Sequence, residues 1–144
     1  MGWTRVLRVG AVAAVMATAA CGSSSGADSV GTHGSGGATH SLAESSNGKT
    51  VTARVGDHIV VALHSTYWML ATPTGAVLTV TAQPRAGRAS GCPNIPGTGC
   101  GVVTARYDVT SAGTTHLAAS RTTCGEAMRC TGNQGAWSAT VTAS

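Results

Sequence analysis

In short runs between Val51 and Val141 apolar residues recur at every second position, and no helical run interrupts them, which points to a sheet protein. Val51, Ala53 and Val55 alternate with polar residues, Gly56-Asp57 supplies a turn, and Ile59, Val61 and Leu63 alternate again, a pattern that predicts a hairpin. A short third run begins near Tyr67-Trp68-Met69-Leu70 and is broken by Pro73-Thr74-Gly75; a fourth spans Ala76 to Ala82. The stretch from Pro84 to Gly101 is too rich in proline and glycine for regular structure. Val103, Ala105, Tyr107 and Val109 form a fifth strand, Ser111-Ala112-Gly113 turns it into a sixth at Thr115, Leu117 and Ala119, and a seventh carries Trp137, Ala139 and Val141. Short strands with turn signals between them and no helical run imply an all-β fold, a seven-stranded immunoglobulin-like β-sandwich. A closed barrel shows the same alternation and is the competing architecture.

If successive strands run up and down, the second-to-third, fourth-to-fifth and sixth-to-seventh connections emerge at one end. That end collects His64 to Trp68, Cys92 to Gly101 and Cys124 to Gly135, while the opposite end has only short turns. Long loops clustered on a rigid sandwich are where binding resides. The binding-loop candidates are therefore Ser65, Thr66, Tyr67, Gly97, Thr98, Gly99 and Arg121. Alternation sends one ring of the Tyr67-Trp68 pair inward: Trp68 is assigned to the core, and Tyr67 is left open between surface and site. The same up-and-down reasoning starts the first strand at the loop-rich end, so the preceding chain is expected to leave from there.

The core has few large side chains, because the sequence contains no Phe and its aromatic residues after the first twenty positions are Tyr67, Trp68, Tyr107 and Trp137. Small secreted domains with such cores commonly rely on disulfides. Cys92, Cys100, Cys124 and Cys130 fit that role, and four cysteines permit three pairings. Local pairing, Cys92 with Cys100 and Cys124 with Cys130, closes each loop on itself and is the expectation. The rival joins Cys100 to Cys124 across the hairpin that turns at Ser111 to Gly113. The spacings are not the close Cys-x-x-Cys pairs of common zinc sites, so no metal is expected.

Upstream of the sheet pattern, Met1 to Ala20 reads as a secretion signal, with Arg5 and Arg8 in a basic start and an apolar run from Val9 to Ala20. That run is shorter than the ~20 residues needed to span a bilayer. Ala19, Ala20 and Cys21 resemble the lipobox of bacterial lipoproteins, with Thr18 where that motif has a larger aliphatic residue. The resemblance implies cleavage before Cys21, acylation of its thiol (palmitate or a similar chain), and a lipid-anchored location on the extracytoplasmic side of the cell membrane. Residues 21–49, rich in Gly, Ser, Ala and Thr, read as a flexible linker with a root-mean-square reach of ~30 Å. The folded domain is expected over 50–144.

Removing Arg5 and Arg8 leaves seven basic residues against five acidic ones, a net of +2 rather than +4. The arginines are scattered without aromatic interleaving, so no nucleic-acid partner is expected. No catalytic constellation is visible either. Asp57, Asp108 and Glu126 lie in unrelated contexts, and His58 and His64 are separated by some ~20 Å along one strand. Ser65 and Thr66 beside His64 have no identifiable orienting acid. The chain is read as a non-enzyme without a cofactor.

Val55-Gly56-Asp57 followed by a strand to Leu63, the aromatic pair at Trp68, a glycine-rich loop before Val103 to Tyr107, then Gly113, Leu117 and Arg121, resembles the chagasin-like inhibitors of papain-type cysteine proteases over about 90 residues. The resemblance implies an immunoglobulin-like fold that blocks a protease with three loops at one end. In that comparison Gly97-Thr98-Gly99-Cys100-Gly101 stands for the family's glycine-rich loop and Arg121 for the arginine that opens its third loop. His64-Ser65-Thr66 leads straight to Tyr67 where the family has Asn-Pro-Thr-Thr-Gly, Thr122-Thr123 replaces Pro-Trp, and the cysteines are foreign to the pattern. The leading functional expectation is a non-catalytic envelope lipoprotein that binds a protein or envelope ligand through the braced loop end. The alternative is a cysteine protease inhibitor, and the third reading is a structural envelope domain.

Overall fold

The computed structural model of the chain describes residues 36–125 and 128–144. The expected secretion signal, Cys21 and the first part of the expected linker lie outside the described residues. Within them, strands β1 (Thr39–Leu42), β2 (Lys49–Ala53), β3 (His58–His64), β4 (Met69–Leu70), β5 (Leu78–Gly87), β6 (Val102–Val109), β7 (Gly113–Ser120), β8 (Thr123–Gly125), β9 (Met128–Arg129) and β10 (Ala136–Ala143) follow in order. One sheet has the order β1-β3-β6-β5, the second β2-β10-β7-β4, and β8 pairs with β9 as a separate hairpin.

The two four-stranded sheets form an immunoglobulin-like sandwich, as the alternation predicts. Ile59, Val61 and Leu63 of β3 and Val103, Ala105, Tyr107 and Val109 of β6 meet Leu117 and Ala119 of β7 and Trp137, Ala139 and Val141 of β10. Burying each large aliphatic side chain of this set stabilises the fold by roughly 1.5 to 3 kcal/mol. Trp68 and Tyr107 belong to the same cluster and make up part of the bulk that Phe does not supply.

Three features differ from the sequence expectation. First, β2 and β3 are not a hairpin: β2 pairs parallel with β10, whereas β3 pairs antiparallel with β6 in the other sheet. The turn at Gly56-Asp57, with Gly56 at φ 96°, arches from one sheet to the other. Alternation reports which side chains face the core, and a strand of either sheet satisfies it. Second, β5 runs on to Gly87 through Pro84, past the break expected after Ala82. It is an edge strand with register shifts between Val80 and Ala82 and between Ala82 and Arg85, a position where proline costs no ladder bond to a neighbour.

Third, the fold begins within the segment read as linker. β1 lies parallel to β3, and Leu42 is buried in the core. A 3-10 turn at Glu44–Ser46 then leads into β2. Gly37 packs so closely on the Gly56 carbonyl that a Cβ there would overlap it. With Thr39 opposite His58, β1 starts beside the Gly56-Asp57 arch and runs toward the far end. The chain therefore joins the sandwich at the end opposite the long loops, not at the loop-rich end, because an added parallel strand reverses the up-and-down count.

Asp57 holds this junction together. Its buried carboxylate accepts hydrogen bonds from the Ala38 amide at 2.8 Å and the Arg54 amide at 2.9 Å, and pairs with His40 Nε2 at 2.9 Å. The His40 contact, together with the Arg54 and Ala38 amides, holds the carboxyl down from 3.8 to about 2. A carboxyl with a depressed folded-state value stabilises the fold fully above its unfolded value and loses that contribution as pH falls through the folded one. The melting temperature is therefore expected to drop steeply between about pH 4 and about pH 2. Asp57→Asn should lower it at neutral pH and flatten that acid limb; wild-type and variant curves running parallel below pH 4 would exclude the role.

Candidate binding site at the loop end

Strand registers bring three connections to one end. His64 and Gly87 both lie opposite Val102, and Met69 and Ala136 both lie opposite Ser120. The segments 65–68, 88–101 and 121–135 consequently leave the sandwich side by side. An open cavity of about 400 Å³ lies between them, lined by Ser65 and Tyr67 from the first, Thr98 and Gly99 from the second and Arg121 from the third. Thr66 and Gly97 flank it, both on the wall of an adjoining depression. All seven candidates from the sequence are thus brought together.

The first connection is short and heavily constrained. Ser65 has φ 94°, the only non-glycine residue in the left-handed region among those described. Such a conformation persists where its surroundings over-determine it, and it concentrates at functional sites. Here the Ser65 amide donates to the Gly101 carbonyl at 2.7 Å, the Thr66 amide to the Gly99 carbonyl at 2.9 Å, and the Trp68 indole Nε1 to the His64 carbonyl at 2.9 Å. Tyr67, left open by the sequence, turns to the site: its hydroxyl donates to the Gly97 carbonyl and its ring lies on Gly99. The first loop therefore scaffolds the glycine-rich one.

Two disulfides close the other loops, Cys92–Cys100 and Cys124–Cys130, each within its own loop. The rival Cys100–Cys124 cross-link is excluded. Rings this small stabilise by about 2 to 3 kcal/mol apiece on the chain-entropy model. Arg121 lies half-buried with its guanidinium 4.4 Å over the Trp68 ring, and its Nε donates to the Gln134 carbonyl at 3.2 Å. A cation over an aromatic face contributes ~0.5 to 1 kcal/mol at such a site. It also fixes where the charge sits.

Glu44 is a contributor the sequence reading missed. Its carboxylate accepts from the His64 amide and pairs with His64 Nδ1 at 3.2 Å. Burial pushes its carboxyl up, but bonds with its own amide and with His64 outweigh that and leave it below the ordinary value. Glu44 fell inside the stretch read as linker, so no local signal pointed to it. Ile95 and Met128, on the second and third loops, expose large apolar side chains, as does Met69 at the start of β4. The remaining carboxylate–histidine pairs, His40–Asp57 and His58–Asp108, start beside the opposite end of β3. Among the described residues no group of three or more His, Cys, Asp or Glu side chains converges as a metal site would require.

Gly99 has φ 65°, and a Cβ on it would overlap the Tyr67 ring. Gly99→Ala is accordingly expected to destabilise the domain by about 1 to 3 kcal/mol in denaturant unfolding. Tyr67→Ala in the same chain should recover part of that loss, and a strictly additive double-mutant cycle would rule out the contact.

In sequence comparison the chain matches no protein-family profile and no curated protein. In structure it is similar to a cysteine protease inhibitor from Entamoeba histolytica, with 13% identity and a TM-score of 0.53 over 74% of this chain and 96% of that one. It is also similar to amebosin, with 19% identity and a TM-score of 0.54 over 76% of this chain and 100% of that one. At these identities the likeness concerns the fold: an immunoglobulin-like sandwich shared with proteins that include an inhibitor of cysteine proteases.

Proposed function

We propose that the loop end is a protein-binding surface that blocks papain-type cysteine proteases. The observation carrying this reading is the convergence of three constrained loops at one end of a sandwich whose fold is that of a cysteine protease inhibitor. Inhibition of this kind needs no nucleophile and no cofactor; it needs a rigid convex surface that a substrate cleft accepts and cannot process. Rigidity is what the disulfides, the Tyr67 brace and the strained Ser65 turn supply, since loops already ordered lose less entropy on binding. The exposed Ile95 and Met128 give the surface apolar contact area, and Arg121 gives it a positioned charge.

A second reading, capture of another envelope protein or ligand, is favoured by the short first loop and by disulfides that the inhibitor family lacks. Titration against papain separates the two. Inhibition at nanomolar to low micromolar concentration is expected, weakened roughly tenfold or more by Tyr67→Ala or Arg121→Ala. No inhibition at micromolar concentration would leave the second reading, and a failure of envelope pull-down as well would leave a structural domain.

The protein is further proposed to act while anchored through a lipid on Cys21. Because β1 starts at the end opposite the loops, a tether leading into it leaves the loop end free to face a protease. Cys21→Ala is expected to shift the protein from the membrane to the soluble fraction; a variant that stays with the membrane would remove the anchor.

A further inference from the structure

The Cys92–Cys100 disulfide serves the loop end and not the core. Among the described residues no cysteine belongs to the buried cluster between the sheets, and this disulfide joins neither sheet to the other, closing a sequence separation of only 8. Within its ring, the arc from Pro93 to Thr98 makes no backbone–backbone hydrogen bond to the rest of the molecule among the described residues. What holds it besides the disulfide is side-chain work at the surface: Arg88 Nη2 to Asn94 Oδ1 at 2.5 Å, Thr98 Oγ1 to the Ile95 carbonyl, and the Tyr67 hydroxyl to Gly97. The second ring differs. Around Cys124–Cys130 the β8–β9 pairing, the Cys130 amide on the Thr122 carbonyl and the Thr131–Gln134 bonds hold the segment in addition to the disulfide. Cys100 is solvent-exposed and lines the cavity on which the three loops converge.

We propose that Cys92–Cys100 is a redox-modification site through which a dithiol reductant switches the loop end off while the sandwich stays folded. A thiolate of the reductant attacks the Cys100 sulfur, a mixed disulfide forms and Cys92 leaves as thiolate. The reductant's second thiol then attacks the mixed disulfide and releases Cys100. Two electrons and two protons end on Cys92 and Cys100, and the reductant ends as its own disulfide. Freed of the ring, the Pro93–Thr98 arc must be ordered again on each binding event, which weakens recognition.

The consequence for proteases rests on the inhibitory reading above. A papain-type enzyme works through a reduced thiolate, so the conditions that arm the protease would disarm this inhibitor.

Hydrogen exchange on the full chain, oxidised and then treated with dithiothreitol, reads the switch directly. The Ser65 and Thr66 amides, which donate to the Gly101 and Gly99 carbonyls, are expected to exchange tenfold faster or more after reduction, with β3, β6, β7 and β10 still protected. Cys92→Ser/Cys100→Ser should reproduce that pattern without reductant, and Cys124→Ser/Cys130→Ser should leave the Ser65 and Thr66 amides unchanged. Against papain activated and then freed of reductant, the first double variant should inhibit at least tenfold more weakly than the oxidised chain. Unchanged exchange at Ser65 and Thr66, or loss of protection throughout the core, overturns the switch. If the oxidised chain itself fails to inhibit papain, the inhibitory reading falls and the exchange result alone decides the switch.

Discussion

Trp68 joins the core to the loop end, and most of the site's geometry follows from it. Its ring is buried between the sheets, its Nε1 donates to the His64 carbonyl, and its face carries the Arg121 guanidinium. An indole has an apolar body and one polar handle, so it can satisfy the core and fix a backbone turn together. Trp137 does the same nearby, donating from the core to the Ala43 carbonyl at 2.9 Å. The loop end is therefore an extension of core packing: moving the first loop or Arg121 disturbs Trp68, and the buried cluster resists that.

Alternation made the sheet residues legible because inward-facing positions in both sheets obey the same rule. Every apolar residue singled out from Ile59 to Leu63, Val103 to Val109 and Trp137 to Val141 is buried. The pairing of the strands was less legible. The turn at Gly56-Asp57 has hairpin composition, yet Asp57 spends its carboxylate on Ala38, His40 and Arg54, and those partners lie in or beside β1 and β2. β1 was hidden for a related reason. Of Thr39 to Leu42 only Leu42 is buried, and the strand is held by a residue far along the chain instead of by its own pattern.

The site was legible where spacing alone constrains it. Cysteines eight and six positions apart pair within their loops, and the clustering of long loops at one end follows from strand count through β3 to β10. The contacts that give the loops a single shape were not. Tyr67 on Gly99, Arg121 on Trp68 and Glu44 on His64 each join residues from different elements, and side-chain identity does not announce them. Ser65 is the clearest case: its positive φ is held by the bond to Gly101 and by the fixed neighbours His64 and Tyr67, with no glycine or asparagine at that position to mark it.

The two ends of the sandwich are physically connected by β1. Along β3 the Asp57 arch and His64 are separated by some ~20 Å, too far for direct interaction between charges at 0.15 M salt. β1 runs beside that strand, held at its start by Asp57 through Ala38 and His40, and just past its finish by Trp137 through Ala43 and by His64 through Glu44. Protonating Asp57 releases the start, and what then keeps Glu44 against His64 is Leu42 in the core together with the Trp137 bond. The segment nearest the proposed anchor is thus also the strap that braces the first loop.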